Sequence, residues 1–181
     1  MDNPRRIALL PGLALALLMV VSSPAHAQEV DFVASVAGGT GVSMGGGSAG
    51  VIAKLSPMTL DIDVGLVFDK DWSMEWTPSI ILELGGRISV GVNPSLKRFV
   101  KLSESGWASK MSIYGGIGVP FIFAPFTLLG AEAAVGVTYE FFPNFSPVLE
   151  LHSDVFFAGS DLPEGSVLVK VDFTLGIRYR F

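Results

Sequence analysis

The 181-residue sequence has no cysteine, only two histidines, and charged side chains at just 16% of its positions. Without cysteine there is no disulfide scaffold and no thiolate metal site. Bases are also scarce: 12 Lys and Arg stand against 17 Asp and Glu, a formal net charge of −5. Phosphate binding draws on grouped Lys and Arg, so this balance argues against nucleic acid as a partner. Past the first 27 residues, no apolar run reaches the ~18 residues of a membrane-crossing helix. The chain is nonetheless greasy. Half of its residues are hydrophobic and its mean hydropathy is +0.54, which excludes intrinsic disorder.

The N-terminus accounts for part of that hydropathy. Arg5 and Arg6 open it, Ile7 to Val21 form an apolar stretch, and Ala25-His26-Ala27 supplies a small-x-small cleavage site before Gln28. Residues 1–27 read as a cleaved secretory signal peptide, and residues 28–181 as one domain.

In the mature chain, apolar residues alternate with polar ones. Val167, Val169, Val171, Phe173, Leu175, Ile177, Tyr179 and Phe181 are separated by Leu168, Lys170, Asp172, Thr174, Gly176, Arg178 and Arg180. The same period of two runs from Leu129 to Phe141, from Leu60 to Phe68 and from Ile80 to Val92. It marks strands with one apolar and one polar face. Eight strands are expected: Val30–Gly39, Ser48–Leu55, Met58–Phe68, Ser79–Val92, Lys110–Phe121, Leu128–Phe141, Val148–Phe157 and Ser166–Phe181. Thr40 to Gly47 reads as a glycine-rich mobile loop, Ser56-Pro57 as a turn and Asp69 to Pro78 as a loop. Asn93 to Lys110 reads as a basic amphipathic helix, with an extra hairpin as its rival. Most of these strands are near the ~9–11 residues that cross a bilayer when tilted.

The polar face is crowded with small residues such as Gly65, Gly116, Gly118 and Gly136, which suit a narrow barrel interior. The apolar face carries Phe68, Phe121, Tyr139, Phe141 and Phe157 toward strand ends, as aromatic girdles at a lipid boundary do. The expected fold is an all-β, eight-stranded antiparallel transmembrane barrel of up-and-down meander topology. A soluble sandwich is the alternative.

The alternating Phe173, Leu175, Ile177, Tyr179 and terminal Phe181 resemble the signal read by the outer-membrane barrel assembly machinery of Gram-negative bacteria. Gly136-Val137-Thr138-Tyr139-Glu140, Pro143-Asn144 and Leu149-Glu150-Leu151 resemble the penultimate hairpin of small OmpA-like outer-membrane barrels. The resemblance implies residence in the outer membrane, with its lipid and lipopolysaccharide as partners. No peptidoglycan-binding domain is expected.

An eight-stranded barrel has an interior that side chains just fill. The inward charges expected from the alternation are Lys54, Arg87, Lys170, Arg178 and Arg180 against Asp61, Asp63, Glu83, Glu132, Glu140, Glu150, Asp154 and Asp172, with His152 among them. An ion-paired structural core is the first reading, and a gated or proton-linked path the second. Glu150, His152 and Asp154 point to one face and Ser153 to the other, so no local Ser-His-acid triad forms. The composition is similar to that of the lipid A deacylases, but those resemble a His-x-Ser arrangement and here His152 and Ser153 are adjacent. One metal ion at His152 would need ligands from neighbouring strands. The runs Gly38-Gly39-Thr40-Gly41 and Gly45-Gly46-Gly47 lack the Gly-Lys-Ser/Thr of a phosphate loop. No enzyme, metal or cofactor is therefore expected. The expected role is structural or surface-presenting, with Trp72 and Trp76 at a partner surface or the lipid boundary. The alternatives are narrow transport of a small or apolar solute and, third, lipid modification.

Overall fold

The computed structural model describes residues 31–47, 50–69 and 73–181. The expected signal peptide and Trp72 lie outside the described residues. Ten strands make one antiparallel sheet: β1 (Asp31–Gly47), β2 (Gly50–Leu55), β3 (Met58–Asp69), β4 (Met74–Leu84), β5 (Ile88–Lys101), β6 (Met111–Gly118), β7 (Phe121–Ala124), β8 (Leu128–Tyr139), β9 (Phe145–Gly159) and β10 (Val167–Arg180). β10 pairs with β1, so the sheet closes. β2 and β3 lie end to end along β1, and β6 and β7 end to end between β5 and β8. The wall therefore has eight staves. Val33 pairs with Arg180, so the described chain enters and leaves at one end, the base; the opposite end is the mouth.

The stave boundaries differ from the expected ones at five places. The expected loop Asp69 to Pro78 is shorter, because Asp69 ends β3 and Met74 to Pro78 open β4, where Pro78 sits opposite Pro94 of β5. The glycine-rich segment Thr40 to Gly47 is part of β1, paired with β2 and β10. Ser56-Pro57 is an interruption within a stave and not a turn: the Ser56 N–H still donates to the Gly41 carbonyl at 2.9 Å, while Pro57 has no N–H to give. Ser79 to Val92 contains a hairpin, because the chain reverses at Gly85-Gly86-Arg87 between β4 and β5. Three connecting residues leave Leu84 and Ile88 on the same face, so the alternation runs through the turn and hides it. The expected helix at Asn93 to Lys110 is strand as far as Lys101, with one turn of 3-10 helix at Trp107–Lys110. Leu96 and Val100 are four apart, a spacing that shares a face on a strand as well as on a helix. One expected turn is thus lost and one gained, and the count of eight is unchanged.

Apolar residues on the outer face have no protein neighbour to cover them. Ile117 is 65% exposed, Leu175 63% and Val135 55%. Below β2, which pairs with β1 alone, each stave has a partner on both sides over most of its length, so the backbone polar groups of the wall are satisfied there within the sheet. Phe32, Phe68, Trp76, Tyr139, Phe141 and Tyr179 ring the base, and Phe121, Phe123 and Phe157 lie toward the mouth. Among the described residues no helix is long and apolar enough to cross a membrane.

Inside, the filling is layered. Toward the mouth, Ile81, Ile122, Leu128 and Phe156 form an apolar cluster against which Phe126, Leu162 and Leu168 pack. Toward the base the buried residues turn polar and charged, and the backbone gives them room. A Cβ on Gly136 would collide with the Tyr114 ring, and one on Gly118 with the Asn93 side chain.

Candidate functional site: a charged waist below an open mouth

Side chains of the waist bond across the lumen. On β10, Lys170 pairs with Glu83 of β4, and its Nζ lies 3.3 Å from Asp172 Oδ2. Arg178, also on β10, pairs with Glu75 of β4. The staves β1 and β2/β3 separate β10 from β4 along the wall, so both pairs span the interior. From β5, Lys97 Nζ reaches Glu150 Oε2 on β9 at 2.8 Å, and the Tyr114 hydroxyl donates to the same oxygen at 2.5 Å. The Asn93 amide donates to Glu132 Oε2 at 2.7 Å, and His152 Nδ1 lies 3.6 Å from that oxygen. Nearer the base, the Arg178 guanidinium lies 4.6 Å above the Phe99 ring, which stacks on Tyr114 with centroids 4.6 Å apart. Arg180 and Asp31 pair at 2.5 Å, and Ser35 donates to Asp63 at 2.6 Å. Free space among these groups amounts to about 40 Å³, the scale of bound water and not of a solute path.

Above the apolar cluster, the mouth opens into a cup of about 500 Å³. The Glu83–Lys170 pair forms part of its lining, together with Lys54, Arg87, Phe126 and Leu162.

Of the charges expected inside, Asp61, Asp63, Glu83, Glu132, Glu150, His152, Asp154, Lys170, Asp172 and Arg178 come together in the waist, and Arg180 sits at the base. Three are elsewhere. Lys54 is exposed in the cup because β2 rises above the charged layer; Arg87 is exposed in the turn at the mouth; Glu140 lies beyond the end of β8, where it accepts the Asn144 N–H at 3.4 Å. Sequence reasoning missed Asp31, Glu75, Asn93, Lys97 and Tyr114. The signal for three of them was present. Glu75, Thr77 and Ser79 alternate with Met74, Trp76 and Pro78, and Asn93, Ser95 and Lys97 with Pro94 and Leu96, but the prolines suggested loop and helix start.

Trp76 projects outward from β4 near the base, beside Leu66 and Leu96 of the flanking strands. Ser153 pairs with Ala133 and Val171 at outward positions, while His152 is buried inside. Among the described residues no group of three or more His, Asp or Glu is disposed to hold a metal ion.

No family model and no curated relative matches the chain. Solved structures do. Neisserial surface protein A superposes with a TM-score of 0.59 at 13% identity, covering 85% of this chain and 100% of its own. The N-terminal β-barrel domain of Pseudomonas aeruginosa OprF superposes with a TM-score of 0.53 at 12% identity, covering 83% of this chain and 97% of its own. The fold is that of the small eight-stranded outer-membrane barrels. At such identities the likeness is one of architecture.

Proposed function

We propose that this protein resides in the outer membrane of a Gram-negative bacterium as a structural or surface-presenting barrel whose interior is closed to ions. The observation that carries this reading is the set of charged pairs bridging the lumen from β10 to β4 and from β5 to β9, with about 40 Å³ left between them. A buried pair broken by a passing ion leaves two uncompensated charges, so the waist resists opening. Its partners on this reading are outer-membrane lipid and lipopolysaccharide on the apolar belt. The barrel assembly machinery reads Phe173, Leu175, Ile177, Tyr179 and Phe181 during biogenesis. Hydrolysis is not part of the proposal, since Ser153 and His152 point to opposite faces of β9. An unchanged lipid A mass spectrum with and without the protein is the expected result. A second reading, uptake of a small apolar solute, draws on the cup at the mouth. Single-channel recording of the refolded barrel in planar bilayers tests the closed waist: no steady openings are expected, and steady ohmic openings would overturn it.

A further inference from the structure

We infer that Glu132 and Asp154, which face each other inside the waist, hold one proton between them at neutral pH, so that the waist is a proton-binding site. The inference goes beyond the proposed role and rests on it only for the confinement of these groups. Charge in the waist is unbalanced. The carboxylates of Asp61, Asp63, Glu75, Glu83, Glu132, Glu150, Asp154 and Asp172 meet there, eight in all, against the four bases Lys97, Lys170, Arg178 and His152. Negative charge is therefore in excess even with the imidazole charged. The excess is sharpest at one cross-strand pair. Glu132 of β8 stands directly opposite Asp154 of β9, and both point inward, 8% and 6% exposed. Like charges so placed repel, and two carboxylates confined together do not both ionise. No base relieves Asp154. Lys170 lies opposite it on β10, yet its Nζ is turned onto Glu83 and Asp172. His152 Nδ1 is directed toward Glu132 and Glu150, while Lys97 and Arg178 are taken by Glu150 and Glu75. The Tyr114 hydroxyl of β6 also donates to Glu150. Asp154 Oδ1 is left buried without a hydrogen-bond partner among the described residues. With about 40 Å³ of free space, a proton is the smallest group that removes the excess.

Linkage fixes the sign of the consequence. Unfolded carboxyls give up their protons near about pH 4, so above pH 5 the unfolded chain lacks the proton that the folded barrel keeps. Stability then falls as pH rises, by about tenfold in the unfolding constant per pH unit for as long as the pair keeps its proton. The test is infrared spectroscopy of the full barrel in phosphatidylcholine vesicles, beside urea unfolding from pH 5 to pH 8. At pH 7 the parent is expected to show a protonated-carboxyl band that shifts in D₂O and is lost, by difference, in Asp154→Asn and in Glu132→Gln. Each variant keeps the side-chain size and removes one of the two charges. Each is expected to lose about tenfold per pH unit from the pH dependence of unfolding, and the double variant no more than either alone. A packing role would lower stability alike at every pH. An unaltered gel shift on heating checks that the variants fold, and the band and pH slope of the parent stand without them. No such band at pH 7, or equal slopes in parent and variants, would overturn the inference. Loss of the band on adding Na⁺ or Mg²⁺ at pH 7 would assign the compensation to a metal cation and overturn it as well. A steady conductance at pH 7 would remove the closed waist and leave the band to decide the shared proton, so the two failures are distinguishable.

Discussion

The waist and the mouth of this barrel are built from the same alternating strands and filled in opposite ways. In the waist, glycines such as Gly136 and Gly118 leave the wall thin, and long charged side chains cross from stave to stave until little space is left. At the mouth, bulky Ile122, Leu128 and Phe156 pack on one another, and exposed charges of both signs, Lys54, Arg87, Asp161 and Glu164, line the cup above them. The contrast shows that strand number alone does not decide whether an eight-stranded barrel is solid. Where inward side chains are complementary across the lumen it is closed, and where they are not a cup is left.

The largest expected effect falls on the waist. Lys170→Met removes the cation shared by Glu83 and Asp172, both buried, and should cost about 3–5 kcal/mol in urea unfolding of barrels refolded into lipid vesicles. A loss below 1 kcal/mol would mean the waist is wet enough to hydrate both acids. The outer face comes next. Leu175→Arg, on the exposed apolar belt, should cost about 2–4 kcal/mol if that position lies near mid-bilayer. On a water-facing strand the same change would stay within about 0.5 kcal/mol. Gly136→Val drives a side chain into the Tyr114 ring and displaces its hydroxyl from Glu150, with an expected loss of about 1–3 kcal/mol in the same assay. Smallest of all, Lys54→Gln at the mouth should leave stability within about 0.5 kcal/mol of the parent protein. A loss as large as that of Lys170→Met would erase the distinction between waist and mouth.

Much of the wall was legible in the sequence because lipid outside and charge inside impose a strict period of two. The runs around Leu175, Val135 and Ile62 face outward in the order their alternation implies. Turns were less legible for a physical reason. A three-residue connection such as Gly85-Gly86-Arg87 preserves parity, whereas Ser56-Pro57 carries turn chemistry inside a stave. The waist was half legible. Asp154, Lys170 and Asp172 follow from their strands, but which acid meets which base across the lumen depends on stagger, and no local pattern records it. Lys97 and Glu75 were hidden by Pro94 and Pro78, which here sit at outward positions paired with each other across β4 and β5. The cup was not legible at all, since it arises where three connections at the mouth converge.

The missing cysteine offers the most direct test of a closed waist beneath an open mouth. A single thiol can be placed in each region, Ser79→Cys in the waist and Arg87→Cys at the rim, in barrels refolded into vesicles. A small charged thiosulfonate reagent should modify the thiol at 87 at the rate of a free thiol and leave the one at 79 unmodified from either side until the barrel is unfolded. Modification at 79 within tenfold of the rate at 87 would contradict the closed waist.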